Sequence, residues 1–407
     1  IREEFSFLRG NILVLVVSWI LVNFASGIPS PYYSLYVLEL GGTPFIIGFL
    51  GFVSFAILAL VQFPGGFLAD KHGRRRLIVV MTFGVALSYT LFALATSWHF
   101  ILLGVVLQNL FLIYQPALFA LQADSMPAER RGMGFSTVMF VNNLSALFSP
   151  VIAGFLYIQY GLVTGVRIAY AIVTTALLGT AIIRVKLTET LPTNRSERIS
   201  LGAAAKSYPR AIKEGIGVWK LLPRSMFFLF LTNALSSFIY ALSYSYWVVY
   251  ATKILHIREF EWAIMMTWLT LTMILFALPS GKLTDKIGRK KPLLVSWFVL
   301  APFGWLFLIG TQLTLFIAFL CFGVSNALFM ASYSALEADL VPRELRGKEI
   351  GCSQFITYLS MAVGELIGGY IYQYISPILP LLLLTVVTVP CILMTVFFVH
   401  EPHKRQS

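Results

Sequence analysis

Three groups of residues in this chain have types and spacings suited to chemistry. The first is a set of polar stripes within long apolar runs. Asn23, Ser26, Gly27, Ser30 and Ser34 fall at offsets of 0, 3, 4, 7 and 11, positions that one face of a helix gathers. Asn233, Ser236, Ser237, Tyr240 and Tyr244 repeat those offsets. Gln108, Gln115 and Gln122 lie seven apart, and Asn326, Met330, Tyr333 and Glu337 share another face. Amides, hydroxyls and aromatic rings offer hydrogen bonds and stacking without demanding a charge on a ligand. The competing reading of each residue is polar glue between helices. The second group centres on one acid, Glu365, deep in an apolar run with Gln354 and Tyr358 on its face. A charge at membrane depth is costly, so this carboxyl is expected to hold a proton and is the candidate for proton coupling. A permanently neutral acid bonded to another helix is the alternative. The third group is a pair of short polar loops, Gly66-Phe-Leu-Ala-Asp70-Lys-His-Gly73-Arg74-Arg75-Arg76 and Asp124-x-x-Pro127-x-x-x-Arg131-Gly132. Each sets an acid among cations beside a glycine suited to a sharp turn, where the acid can pair with Arg or face a helix N-terminus.

The elements that position these groups follow from composition. Of 407 residues, 58% are hydrophobic and 12% charged, against roughly 45–50% and 25% in soluble domains. A polytopic membrane protein accommodates that bias; a soluble, disordered or disulfide-built chain does not. Cys321, Cys352 and Cys391 lie in apolar stretches and read as packing residues, with no zinc spacing. Twelve apolar runs are long enough to cross a bilayer as helices: 11–37, 44–68, 77–96, 99–123, 133–158, 166–186, 222–250, 261–283, 292–311, 313–337, 348–373 and 378–399. They do not alternate as barrel strands would. With both termini in the cytoplasm, only Arg167, Lys253 and Arg258 of the 30 Lys and Arg residues fall on the outer side, as the positive-inside rule requires. That asymmetry accounts for the net charge of +12 without a nucleic-acid partner. The chain opens on Ile1 and carries no charged–apolar–small signal-peptide pattern.

The chain also repeats itself. The first loop recurs as Gly281-Lys-Leu-Thr-Asp285-Lys-Ile-Gly288-Arg289-Lys290-Lys291, and the second as Asp339-x-x-Pro342-x-x-x-Arg346-Gly347, both at an offset of 215. Pro64/Pro279, Gly154/Gly369 and Tyr157/Tyr372 keep that register. The halves therefore run parallel, an arrangement used by transporters. They divide as an N-terminal bundle (1–186), a cytoplasmic linker (187–221) and a C-terminal bundle (222–407). With these motifs, the sequence resembles the major facilitator superfamily over nearly its whole length. The resemblance implies an all-α membrane protein: twelve transmembrane helices in two pseudo-symmetric six-helix bundles that rock about a central site. It implies that spans 1, 4, 7 and 10 surround the cavity, which favours a binding face for the four stripes taken together. It implies gating roles for Asp70, Gly73, Arg74, Asp285, Gly288 and Arg289, with Asp124, Arg131, Asp339 and Arg346 in the same cytoplasmic belts. Topology-setting and helix capping form the alternative.

The expected function is secondary transport of a small organic solute, with proton-linked export of a lipophilic or neutral compound first. A facilitator or symporter of a polar solute such as a sugar is second, and a non-transporting sensor is a remote third. Ser149–Gly154 and Gly364–Gly369 resemble degraded forms of an antiporter motif, whereas span 4 lacks the Arg usual in drug/proton antiporters of the family. Thr188-Glu189-Thr190 and Glu401-Pro402-His403-Lys404 only faintly echo sugar-porter signatures. No nucleotide loop, catalytic set, cofactor or metal site is expected. The expected partners are a solute, the bilayer and protons. The expected form is a monomer in the plasma membrane.

Overall fold

The computed structural model describes residues 9–126, 131–190, 217–342 and 344–401, with the side chains at 63, 64, 66, 67, 69–72, 131–137 and 139 left aside. The proposed linker therefore lies largely outside the described residues, as do the side chains of Asp70 and Arg131. Among the described residues there is no strand, and twelve helical segments are long and apolar enough to cross a membrane. Span 1 covers Asn11–Glu39, span 2 Pro44–Gln62, span 3 Arg74–Ala93, span 4 Trp98–Asp124, span 5 Phe140–Tyr160 and span 6 Leu162–Arg184. Span 7 covers Arg224–Lys253, span 8 Glu259–Ile287, span 9 Lys290–Ile309, span 10 Gln312–Leu340, span 11 Arg346–Ile375 and span 12 Leu379–Phe398. Every expected run is thus helical, as it must be where no water can satisfy the backbone.

Prolines break these helices. Span 1 runs as α-helix over Asn11–Gly27, tightens to a 3-10 turn over Ser30–Tyr32 around Pro31, and resumes over Tyr33–Glu39. Span 4 does the same at Leu112–Tyr114, just before Pro116. Each Pro lacks an N–H and cannot continue the ladder behind it. The close approach of spans 9 and 10 in sequence is met by two residues. Gly310 ends one helix at φ 72°, and the Thr311 hydroxyl accepts from the Thr314 N–H to start the next.

The helices gather into two units, Ile1–Gly41 with Leu60–Ala211, and Gly42–Ala59 with Ile212–Ser407. In the first, spans 1, 3, 4 and 6 enclose a core that includes Leu15, Leu77, Val85, Leu118 and Val173. In the second, the core is aromatic: Trp247 packs on Phe303 at 4.8 Å and edge-on to Phe322 at 5.2 Å. Spans 7 and 11 run backbone to backbone. A Cβ at Gly364 would lie 2.3 Å from the Phe238 carbonyl oxygen, and one at Gly368 would lie 2.2 Å from that of Leu242. Only glycine permits that seam, and the seam fixes the height of Glu365.

Candidate functional site

The polar stripe of span 7 opens onto a cavity of about 240 Å³ inside the second unit. Asn233, Ser236, Ser237 and Tyr240 line it from span 7, with Ser325 and Asn326 from span 10. Tyr240 stacks on Tyr244 at 4.9 Å and on Phe322 at 5.9 Å. Tyr333 stacks at 5.5 Å on Phe329, itself a lining residue. Among the described residues no Asp, Glu, Lys or Arg lines the cavity. The arrangement can hold an uncharged molecule by ring contacts and a few hydrogen bonds.

The first unit treats its stripe differently. Asn23 donates to the Trp19 carbonyl of its own helix at 2.9 Å. Gln108 donates to the Tyr89 hydroxyl at 2.8 Å, and Ser26 bonds the same tyrosine. Gln108 and Ser26 thus tie spans 4 and 1 to span 3, while Asn23 is taken up by its own helix. Ser30 is exposed, at the start of the 3-10 turn, and Gln115 is half-buried.

Glu365 is 4% exposed. Ser245 of span 7 donates to its Oε1 at 3.0 Å, while Oε2 has no hydrogen-bond partner. The helix of span 2 presses on it through two glycines: a Cβ at Gly51 would lie 2.6 Å from Glu365 Cδ, and one at Gly48 would lie 2.3 Å from the Glu365 carbonyl oxygen. The same helix is held by Tyr246, which donates to the Pro44 carbonyl at 3.2 Å, and by Gln373, which accepts from the Phe45 N–H at 2.8 Å. Gln354 and Tyr358 hydrogen-bond each other at 3.0 Å. No cation is paired with Glu365 among the described residues.

The loop motifs form matching pairs within each repeat. Arg74 pairs with Asp124, and Arg289 with Asp339 at 3.1 Å. Gly73 and Gly288 turn the chain at φ 85° and 91°, where a side chain would be strained. Asp285 is exposed. Arg346 donates to the Ala338 and Val341 carbonyls at 2.7 and 3.2 Å, so it caps the end of span 10. Arg167 donates to the Ala95 carbonyl.

Four features were not singled out from the sequence. Glu189 accepts from the Arg75 N–H at 3.0 Å, and Glu401 accepts from the Arg289 and Lys290 N–H groups at 2.7 and 2.6 Å. Both cap the first turn of a span. The faint Thr-Glu-Thr and Glu-Pro-His-Lys echoes were the available signal. Arg184 is 1% exposed and donates to Ser18, Thr82 and Tyr114 at 3.3, 2.9 and 3.0 Å. Its place at the end of an apolar run disguised it as a topology cation. Glu349 is fully buried and accepts from Ser353. Trp297 lines the cavity and reads in sequence as one more apolar residue.

Comparison with known proteins matches this geometry. The Major Facilitator Superfamily profile covers residues 15–250 and 226–407. An MFS-type transporter of Methanocaldococcus jannaschii is 24% identical over 385 residues, 91% of this chain and 90% of that protein. Multidrug resistance protein MdtG of Citrobacter koseri is 31% identical over 157 residues, 36% of this chain and 38% of that protein. In fold, the chain is similar to the human organic anion transporter MFSD10, with a TM-score of 0.67 at 15% identity over 95% of this chain and 98% of that one. It is also similar to a POT family transporter solved with 5-aminolevulinic acid, with a TM-score of 0.72 at 13% identity over 95% and 94%. With twelve apolar helices, two repeated loop motifs and a profile match along nearly all its length, this chain belongs to the major facilitator superfamily and is a multi-pass membrane transporter of a small solute.

Proposed function

We propose that the protein is a proton-linked exporter of an uncharged or lipophilic organic compound, working by alternating access as a monomer in the plasma membrane with both termini in the cytoplasm. Glu365 is the proton carrier. The observation that carries this reading is the seat of that carboxyl: buried, with one hydroxyl donor and, among the described residues, one unpartnered oxygen and no cation beside it. A group so placed changes charge state only when its surroundings move, which is what coupling requires. The uncharged lining of the nearby cavity supports a neutral solute. The likeness of part of the chain to MdtG supports export. The paired loops, Arg74 with Asp124 and Arg289 with Asp339, stiffen the cytoplasmic ends of each bundle and serve as parts of the gate.

The test uses everted membrane vesicles and an uncharged lipophilic dye such as Nile red. The Glu365→Gln variant is expected to lose uptake driven by a pH gradient while keeping dye exchange. Unchanged uphill uptake in that variant overturns the reading. A second reading, a facilitator or symporter of a small polar solute, is favoured by the Asn233 and Asn326 amides in the cavity. Under it, Asn233→Ala and Gln115→Ala raise the half-saturating concentration of that solute.

A further inference from the structure

The cavity of the second unit reaches beyond the polar stripes. Trp297 and Leu300 of span 9, Met273 of span 8 and Leu384 of span 12 also line it. Residues of five helices of one bundle therefore line it. Trp297 is 2% exposed, its ring is held edge-on to Phe329 at 5.2 Å, and its indole N–H has no hydrogen-bond partner. A buried donor without an acceptor is costly. Here the donor belongs to a side chain that borders an open volume.

The offset of 215 sets Thr82, Phe111 and Tyr114 opposite Trp297, Asn326 and Phe329. The Phe111 ring lies so close to Gly84 that a Cβ there would be 2.4 Å from it. The Arg184 guanidinium is bonded to both Thr82 and Tyr114. In the second repeat, position 326 is an asparagine, position 299 is a valine and position 399 is also a valine. The first repeat thus carries a phenylalanine and an arginine where the second carries an asparagine and a valine.

Size and chemistry narrow the occupant. An apolar cavity of about 150 Å³ holds a benzene molecule, so about 240 Å³ suits two fused rings. Aromatic rings and methionines line the walls, with amide and hydroxyl groups from spans 7 and 10. A cation would also be drawn to aromatic faces, but among the described residues no carboxylate lines the cavity to offset its desolvation. We propose that this cavity is a pocket for a flat, uncharged, roughly bicyclic group carrying a hydrogen-bond acceptor, which receives the Trp297 N–H. This inference rests on the reading that the solute is uncharged, and it adds the shape and the acceptor.

The test is equilibrium dialysis of three matched bicycles against the detergent-purified full chain: coumarin, which carries a carbonyl acceptor; naphthalene, which does not; and N-methylquinolinium, which is a cation. Coumarin is expected to bind about three- to tenfold tighter than naphthalene, the value of one net hydrogen bond. Trp297→Phe is expected to remove that difference while keeping naphthalene binding. Asn326→Phe, which installs the first repeat's residue, is expected to abolish binding of both. Coumarin affinity unchanged in both variants, tightest binding by N-methylquinolinium, or saturable binding by none of the three overturns the proposal. Glu365→Gln run in parallel separates the two readings. Coumarin binding that follows the pattern above, alongside unchanged uphill transport in Glu365→Gln, keeps the pocket and removes the proton carrier. Loss of uphill transport in Glu365→Gln with coumarin indifferent to Trp297 and Asn326 does the reverse.

Discussion

A methyl group added at Gly51 would probe the seat of Glu365 directly. Its carbon would lie 2.6, 2.7 and 2.7 Å from Glu365 Cδ, Cγ and Oε2. Carbon atoms in contact sit about 3.5–4.0 Å apart, so either the carboxyl swings away from Ser245 or the helices separate by about 1 Å. Overpacking of this kind costs about 1–3 kcal/mol. Gly48→Ala meets backbone instead, the Glu365 carbonyl oxygen at 2.3 Å, which no rotamer relieves. Pairing each change with Glu365→Ala distinguishes the two. Truncation at 365 removes the atoms that obstruct position 51, so Gly51→Ala and Glu365→Ala should couple by about 1 kcal/mol or more, as contacting residues do. The carbonyl remains after truncation, so Gly48→Ala and Glu365→Ala should be nearly additive, within about 0.5 kcal/mol. Reversible unfolding in mixed micelles supplies the four free energies of each cycle. Additivity at position 51, or equal coupling at both positions, would refute this geometry.

Further expectations concern the rims and the buried arginine. The side chains of Arg289 and Asp339 are 12% and 15% exposed, whereas Asp124 is 42% exposed beside Arg74. Asp339→Asn should therefore destabilise by about 3 kcal/mol, as breaking a buried pair does, and Asp124→Asn by about 1 kcal/mol or less; thermal melts that reverse this order count against the pairing. Glu401→Ala frees two first-turn N–H groups and should cost about 1 kcal/mol, with faster amide exchange at Arg289 and Lys290 and none elsewhere on span 9. Arg184→Met should be neutral or stabilising within about 1–2 kcal/mol, because Ser18 and Thr82 already donate to the Leu15 and Ile78 carbonyls of their own helices; a loss of melting temperature as large as that of Asp339→Asn would contradict it.

Much of the architecture was legible because the bilayer sets the code. Twelve apolar runs, cations gathered on one side and loops repeating at one offset depend on local composition. All these features are written locally, and the helices fall where the runs are. The kinks at Pro31 and Pro116 were equally local. The site was only half legible. Asn23 and Asn233 sit at matching places in matching stripes, yet one bonds its own helix and the other donates to Thr357 of span 11 and lines a cavity. The difference comes from partners distant in sequence: Tyr89 takes up Ser26 and Gln108, while Asn326, which stands where the first repeat has Phe111, lines the cavity with Asn233. Glu365 was visible as an acid in an apolar run, but its glycine cradle on the helix of span 2 was not, since Gly48 and Gly51 lie more than three hundred residues away. The helix caps at Glu189 and Glu401 form by tertiary approach, and only the faint Thr-Glu-Thr and Glu-Pro-His-Lys echoes marked them in the sequence.

The central claim is that Glu365 carries a proton in exchange for an uncharged solute. Its most direct test is solute-driven proton movement in everted vesicles, read as the collapse of an imposed, acid-inside pH gradient when Nile red is added. The account predicts a partial collapse with the native protein and none with Glu365→Gln, although dye exchange continues in both. An equal collapse in the variant, or dye accumulation by the native protein with no proton movement, would contradict it.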